Sequence, residues 1–252
     1  MADLKESLLF QSIREQSRHW YYSTKIYYLK NLLDKYVHKT AEPISISDWG
    51  AGNGIIGLSL FDFLDISNES SLDLIDTGYE RDVVCDGLSR YSYMRRPDPS
   101  KKYNILLAID VVEHINDDKR FLELLDRHME KGSLLIVAAP ALDILWSNHD
   151  VYLEHYRRYN LHSLERICAS SKLRILESGY LFTVTLPIIL FVRLFRRIFC
   201  PQRNSSDMSI PPPAINLILR LMLRLECLFK LNSKWFATLP GSTVFVVAEK
   251  HE

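Results

Sequence analysis

Apolar residues recur along this chain with two periods, one typical of helices and the other of buried strands. Over residues 8–37 they return every three or four positions, which predicts an N-terminal helix. Short apolar or β-branched runs over 44–48 and 72–76 predict two strands, with a helix over 55–64 between them. The chain is therefore expected to begin with a helix and to continue as alternating strands and helices.

The alternation extends to the end of the chain. A near-continuous apolar run over 103–110 is expected for a parallel strand that is covered on both faces. Asn116 is expected to cap a helix over 117–129, which Gly132 stops. The other predicted elements are strands over 82–86, 134–139, 174–181 and 242–248 and a helix over 163–171. This order predicts an α/β fold with a mostly parallel sheet.

One predicted strand conflicts with that topology. Only nine residues separate Asp76 from Asp86, whereas two parallel strands need a longer connection, usually a helix. Either the crossover helix is missing here or one of the two strands is misplaced.

The composition is that of an ordinary globular chain, with 252 residues of which 47% are hydrophobic and 25% charged. We expect one domain over residues 1–252. The four cysteines are scattered, without the paired spacing of a zinc site or a disulfide framework, which indicates a reducing compartment and hence the cytoplasm. The first residues carry acids where a signal peptide would carry basic residues, so we expect no export signal.

Charge is distributed unevenly although the net charge is zero. Residues 186–241 contain eight Lys or Arg and two acids, which makes this segment +6 and the rest of the chain −6. The zero total argues against a general nucleic-acid binder. A basic C-terminal third therefore accompanies an acidic body.

The basic region is also apolar, and residues 183–241 are expected to form a helical insertion before the last strand. Residues 178–192 are uncharged and interrupted by Pro187, and they are too few to span a bilayer. Residues 215–225 are apolar on almost every side apart from two arginines. Such helices suit the surface of an anionic membrane, which predicts a peripheral position on its inner face. A lid over the active site or a dimer contact fits the same pattern.

A glycine-rich turn follows the first predicted strand, in the order Asp48-Trp-Gly50-Ala-Gly52-Asn-Gly54. Glycine permits positive φ and leaves no Cβ between the loop and a ligand, so a cofactor can lie against main-chain N–H groups at the start of the next helix. The overlapping pattern from Gly52 to Gly57 also satisfies the dinucleotide fingerprint, with Asp76 near the distance expected for an acid on a ribose. The glycines alone leave both cofactor classes open.

The residue before the glycines separates the two classes. Asp48 stands at the end of the strand, where a carboxylate would repel a pyrophosphate but would suit an ammonium group, such as that of S-adenosylmethionine. The pattern from Asp48 to Gly54 resembles the first motif of class I S-adenosylmethionine-dependent methyltransferases. This resemblance favours S-adenosylmethionine over a nicotinamide dinucleotide.

Three further segments strengthen the resemblance. Residues 103–115 resemble the fourth-strand motif of a subfamily that includes the quinone-pathway O-methyltransferases. Residues 139–159 are similar to a signature of bacterial methyltransferase-like proteins linked with saccharide and envelope synthesis, and His19-Trp20 and the segment 239–242 match that group too. The resemblance covers nearly the whole chain. It implies a Rossmann-like fold with a seven-stranded sheet, divided into an N-terminal helical cap (1–40), a cofactor-binding core (41–182), the insertion (183–241) and the last strand (242–252).

The resemblance also implies roles for residues around the cofactor. Asp48 is expected near the methionyl ammonium, the three glycines Gly50, Gly52 and Gly54 along the methionyl backbone, and Asp76 on the ribose hydroxyls. Asp86 is expected on the adenine amine, although it could equally be a turn residue before Gly87. Ile109 and Asp110 are expected to line the pocket at the carboxyl end of the fourth strand.

The acceptor side is assigned from chemistry and position. His114 is the candidate general base, with Glu113 orienting it, because it follows the fourth strand and its ordinary pKa suits proton removal near neutrality. A loop anchor is the alternative role for His114. Arg157 and Arg158 offer planar forks to a phosphate or carboxylate, with His149 and Tyr159 on hydroxyl groups, unless this segment is a surface ion-pair loop. The predicted substrate set also includes Trp20, Asp150 and His155.

No metal is expected, because His149, Asp150 and His155 lack the spacing of a helical zinc site. The sequence thus predicts an enzyme that transfers a methyl group from S-adenosylmethionine to a hydroxyl of a saccharide or lipid-linked small molecule. Two alternatives remain, an NAD-dependent oxidoreductase and a non-catalytic, membrane-associated partner subunit that keeps the fold.

Overall fold

Seven strands form one mixed sheet at the centre of the protein. The structure is a computed structural model that describes residues 9–37, 42–64, 67, 69–83, 90–171, 173–199 and 208–251. Within these residues the strand order is β3-β2-β1-β4-β5-β7-β6. The strands are β1 (Ser45–Trp49), β2 (Ser71–Ile75), β3 (Tyr91–Met94), β4 (Tyr103–Ile109), β5 (Met129–Pro140), β6 (Leu173–Leu181) and β7 (Thr243–Lys250).

The first five strands are parallel to their neighbours, whereas β7 runs antiparallel between β5 and β6. The chain places β2 and β3 on one side of β1, and β4 and β5 on the other. The strand order therefore reverses between β1 and β4, and ligands of open α/β sheets bind at the carboxyl ends of the strands at such a point. The glycine turn after β1 and the residues after β4 meet there.

Helices cover both faces of the sheet. One face packs against α2 (Trp20–Tyr36), α3 (Ile55–Leu64) and α8 (Pro213–Asn232), through buried aliphatic and aromatic side chains. The opposite face packs against α4 (Asp118–Arg127) and α6 (Leu161–Ser170). The remaining helices are α1 (Ile13–Arg18), α5 (Asn148–Tyr152), α7 (Leu186–Phe199) and α9 (Lys234–Thr238), with 3₁₀ turns at Val112–His114 and Asp143–Leu145. This arrangement confirms the α/β class with a mostly parallel sheet.

The third strand of the sheet does not lie at the predicted position 82–86, of which only residues 82 and 83 are among those the structure describes. The sheet takes Tyr91–Met94 as β3, and Val83 makes only an isolated antiparallel bridge with Tyr93. A strand at 82–86 would follow β2 too closely for a parallel crossover, whereas Tyr91–Met94 allows a longer connection. Asp86, assigned to the adenine amine, lies outside the described residues.

Two helix predictions also need correction. The N-terminal helix is broken at His19, whose backbone is extended, because the Asn216 side chain accepts a hydrogen bond from the Trp20 N–H (2.8 Å) where the second helix starts. At α4 the cap is Asp117, which accepts from the Arg120 N–H, and not Asn116. Gly132 does not stop that helix, because it lies within β5.

The insertion is anchored by a buried carboxylate. Glu226 of α8 accepts hydrogen bonds from the N–H groups of Thr183 (2.9 Å) and Val184 (2.8 Å), just after β6. Burial of Leu223 and Cys227 on the same side of α8 fixes the helix against the sheet. In the described part of the chain, no helix combines the length and the apolar character needed to cross a membrane.

Candidate active site

The glycine turn has the conformation that its sequence predicts. Gly50, Gly52 and Gly54 have φ of 72°, 56° and 80°. A Cβ on Gly50 would lie 2.5 Å from Cγ2 of Val111, so this position requires glycine for space as well as for conformation. The turn therefore fits tightly against the residues that follow β4.

Asp48 lies beneath the turn and is held by a fourth glycine. Its Oδ2 atom accepts a hydrogen bond from the Gly57 N–H (3.0 Å), and a Cβ on Gly57 would lie 2.7 Å from that oxygen. Burial and, to a smaller extent, the nearby Asp76 raise the pKa of Asp48 to about 7, against the lowering effect of the Gly57 N–H. A ligand cation above the turn would favour the ionised carboxylate.

Asp76 stands at the end of β2 and binds the turn from the other side. Its Oδ2 atom accepts from the Gly52 N–H (3.0 Å), and its Oδ1 atom accepts from the Gly78 N–H (2.7 Å). A carboxylate oxygen can accept more than one hydrogen bond, which is the chemistry that ribose hydroxyls require. Ile109, at the end of β4, lines the space over the turn.

Side chains from the N-terminal helices cover this space. Gln16, Tyr22 and Lys25 form its roof, and the Gln16 carbonyl oxygen accepts from the Asn53 amide (2.6 Å). The remaining free volume is about 10 Å³. A ligand as large as a nucleoside can therefore bind only if α1 and α2 move away from the turn.

Sequence reasoning missed these roof residues. Lys25 is 1% exposed and makes an ion pair with the Asp110 carboxylate. A signal for it was present, because Lys25 directly precedes Ile26 on the apolar stripe of a helix where a solvated lysine would not be expected.

Asp110 joins this space to a larger cavity and lines both. It has a left-handed backbone with φ of 55°. Its Oδ2 atom accepts from Lys25 and from the Tyr21 hydroxyl (3.3 Å), whereas the buried Oδ1 atom has no hydrogen-bond partner among the described residues. A chemical group that is transferred from one space to the other would therefore move past the Asp110 carboxylate.

The larger cavity has a volume of about 380 Å³. Ile188, Ile189 and Val192 of α7 contribute apolar surface to its lining, beside Arg193 and Arg196 of the same helix. Trp20 and His149, both predicted to bind substrate, line this cavity. Further polar side chains in the lining include Asp110, Glu113, His114, His149, His155 and Arg158.

His114 lies in the 3₁₀ turn after β4, as its position in the sequence predicted. Burial and, to a smaller extent, the nearby His155 lower the pKa of His114 to about 4. The imidazole is therefore neutral near pH 7 and can accept a hydrogen bond. Glu113 is fully buried beside it.

The two predicted arginines have different surroundings. Arg157 donates to Asp118 Oδ2 (2.8 Å) and to the Asn116 carbonyl (2.7 Å), and it does not line the cavity. Arg158 lines the cavity wall but is buried, and its Nε donates to Asp150 Oδ1 (2.8 Å).

Asp150 and Tyr159 lie behind the cavity wall. Burial opposes ionisation of Asp150, but its hydrogen bonds with His155 and Arg158 hold its pKa well below the usual range. The Tyr159 hydroxyl donates to Asp118 Oδ2 (2.8 Å), on the same side as Arg157. Of the predicted substrate residues, the structure thus brings Trp20, His149, His155 and Arg158 to the cavity and places Asp150, Arg157 and Tyr159 outside its lining.

Solved methyltransferase structures resemble this protein, although no protein-family model matches the sequence and no curated protein matches it. A Galdieria sulphuraria protein described as a sarcosine dimethylglycine methyltransferase has a TM-score of 0.55 at 12% identity, with 90% of this chain and 85% of that chain covered. A Haloferax volcanii protein described as a methyltransferase, in complex with the Trm112 activator, has a TM-score of 0.52 at 14% identity, with 100% and 94% covered. Phosphoethanolamine N-methyltransferase 2 of Haemonchus contortus, in complex with S-adenosyl-L-methionine, has a TM-score of 0.51 at 13% identity, with 96% and 61% covered. The chain therefore has the fold of class I methyltransferases.

Proposed function

We propose that this protein is an S-adenosylmethionine-dependent methyltransferase that methylates a hydroxyl group of a small acceptor. The observation that carries the proposal is Asp110, which connects the space over the glycine turn with the acceptor-sized cavity. A methyltransferase needs such a junction because the methyl group must pass in line from the donor to the acceptor.

The residues around the glycine turn suit this cofactor. Asp48 would favour its ammonium group and Asp76 its ribose hydroxyls, while Asp110, whose buried Oδ1 atom has no hydrogen-bond partner among the described residues, lines both spaces. The bound cofactor would supply an electrophilic methyl group on a sulfonium. Because Gln16, Tyr22 and Lys25 fill its place, α1 and α2 must shift to admit it.

The acceptor would bind in the larger cavity with its hydroxyl toward Asp110. The neutral His114 ring would accept the hydrogen bond of that hydroxyl and so aim its oxygen. That oxygen would then be directed at the methyl group that the bound cofactor would supply, and the hydroxyl proton would leave to solvent.

A nicotinamide dinucleotide suits this protein less well. The sheet has an antiparallel β7 between β5 and β6, whereas the dinucleotide fold has the order 3-2-1-4-5-6 with parallel strands. Asp48 beneath the turn would also oppose a pyrophosphate there.

Ligand-dependent melting tests the cofactor. We expect S-adenosylhomocysteine at 100 times its Kd to stabilise the protein by about 2.7 kcal/mol, which is roughly 5–10 °C in Tm. NAD should leave Tm unchanged. Asp76→Ala should lose most of the rise, while the exposed control Asp62→Ala should retain it. A larger rise with NAD would overturn the proposal, and cofactor binding without methyl transfer to any acceptor would favour a non-catalytic role.

The acceptor is proposed to be a saccharide carried on a lipid, at the surface of an anionic membrane. Phe191, Phe195, Ile198 and Phe199 of α7 are each at least half exposed, although a soluble helix normally buries its large apolar residues. On α8, Ile215, Leu217, Ile218, Leu221, Leu225 and Phe229 are also at least half exposed. The same helix α7 also lines the cavity, to which it contributes both apolar residues and Arg193 and Arg196. A lipid tail could therefore reach the cavity from the membrane.

Co-sedimentation with vesicles tests this placement. Wild-type protein should bind vesicles that contain phosphatidylglycerol and should be released as salt is raised, because exposed charges are screened. Replacing Phe191 and Phe199 by Ser should abolish binding. The matched control is Leu124→Ser, which removes a partly exposed apolar side chain from α4. If wild type fails to bind, the apolar helices serve as a lid or a dimer contact instead.

A further inference from the structure

Two imidazoles and a carboxylate face one another in the wall of the acceptor cavity. One potential ligand atom from each of Glu113, His114 and His155 lies within 4.8 Å of the other two. The rings of His114 and His155 have centroids 4.6 Å apart and are inclined by 71°. These side chains come from two segments that are forty residues apart in the sequence, so the fold itself brings them together.

Each imidazole has one ring nitrogen occupied by an orienting contact. Nδ1 of His155 is 2.9 Å from Asp150 Oδ1, and Asp150 is fixed in turn by Arg158. The His114 ring makes a hydrogen bond with the backbone at Glu154. Metal-binding histidines are normally oriented in this way, by a carboxylate or a backbone carbonyl on the nitrogen that does not bind the metal. The second nitrogen of each ring remains for a ligand.

We propose that Glu113, His114 and His155 form a binding site for one divalent transition-metal ion. Two imidazoles and a carboxylate are ligands that Zn²⁺ and Fe²⁺ accept, and three protein ligands leave coordination positions open. In a tetrahedral site such ligand atoms lie about 3.3 Å apart, so binding requires small side-chain rotations. This site was not predicted from the sequence, where only His149, Asp150 and His155 were considered as metal ligands and the test was the spacing of a helical site.

The site lies in the cavity where Asp110 also stands. A cation there would take the His114 nitrogen that otherwise accepts from the acceptor hydroxyl and would bind the hydroxyl oxygen itself, which would lower the pKa of the hydroxyl and ease loss of its proton before methyl transfer. That role depends on the proposed function, whereas metal binding itself does not.

Metal content and cobalt spectroscopy test the site directly. Chelator-treated full-length protein should bind one Zn²⁺ per chain in calorimetry, and Co²⁺ should give a visible absorption band of a ligated ion. Glu113→Gln and His155→Gln should each weaken Zn²⁺ binding at least about tenfold and alter the cobalt band. His162→Gln, an exposed histidine on α6, is the matched control and should change neither. Circular dichroism and melting establish that each variant is folded.

Two results would overturn the proposal. One is the absence of stoichiometric Zn²⁺ binding to folded wild-type protein, and the other is binding that persists in both folded ligand variants. If the His155 variant does not fold, the Glu113 variant and the cobalt band of the wild-type protein decide whether the metal site exists. Because these measurements use the metal alone, they are independent of S-adenosylhomocysteine binding, so failure of the metal site and failure of the proposed function can be told apart.

Discussion

Replacing Asp48 by Asn should remove a pH dependence from the stability of the protein. Burial raises the pKa of this carboxyl from 3.8 to about 7. The folded state therefore holds the proton more tightly than the unfolded chain, and the resulting stability is fully present below pH 3.8 and is lost as the pH rises to 7. The full difference corresponds to about 4 kcal/mol, of which about 3 kcal/mol should be lost between about pH 4.5 and about pH 8.

Urea unfolding of wild type and Asp48→Asn across this range measures the effect. The difference between the two free energies of unfolding should change by about 3 kcal/mol in favour of the variant, since asparagine keeps an acceptor for the Gly57 N–H but does not ionise. If the free energies of unfolding of the two proteins change with pH in the same way, the reasoning is refuted. A second arm concerns the cofactor, whose ammonium should ionise Asp48 on binding. Calorimetry near pH 6 in buffers of different ionisation enthalpy should detect nearly one proton released by wild type and none by the variant.

Two further comparisons use pairs of matched positions. Gly50→Ala should cost about 2–5 kcal/mol and abolish the melting response to S-adenosylhomocysteine, because its Cβ would lie 2.5 Å from the Val111 side chain at a φ of 72°. Gly132→Ala, with a φ of 86° and no atom within 4 Å of the new Cβ, should cost only about 1–2 kcal/mol, and equal losses in urea unfolding would contradict the packing argument. Arg158→Lys should lower stability by roughly 1–3 kcal/mol because lysine cannot reproduce the buried fork, whereas Arg157→Lys at a partly exposed pair should cost less than about 1 kcal/mol. Melting curves check both, and a larger loss at Arg157 would show that the buried pair contributes little.

The central strands were predictable because burial on both faces leaves a continuous apolar run. Residues 103–110 and 134–139 have such runs, and both segments form strands of the sheet interior. β3 has no such signal, since Tyr91–Met94 is polar and aromatic and only one of its four residues is buried. An edge strand of this kind is recognised only from its pairing with β2.

The glycine turn was predictable for a different reason, because its conformation is determined within a few residues. Its roof was not predictable, since Lys25 and Gln16 reach the turn only through the packing of α1 and α2. The adjacent arginines show the same limit on a smaller scale. Side chains alternate in an extended segment, so Arg157 and Tyr159 both reach Asp118 while Arg158 faces Asp150. The two arginines therefore have different surroundings, although nothing in the sequence distinguishes one from the other.

Backbone strain offers an independent argument for the location of the site. Asp110, Leu142, Glu154 and Phe182 have φ near 60° without being glycine, a conformation that costs about 1–2 kcal/mol each. Asp110 stands between the two ligand spaces, and Glu154 directly precedes His155 and provides the backbone partner of His114. Phe182 stacks on Tyr21, whose hydroxyl donates to the Asp110 carboxylate. Such conformations persist only where the surrounding residues hold them in place. Three of the four, at Asp110, Glu154 and Phe182, position groups at the junction of the two cavities. The strain at Asp110 and Glu154 therefore supports a chemical role for this junction, because packing alone would be served as well by residues in relaxed conformations.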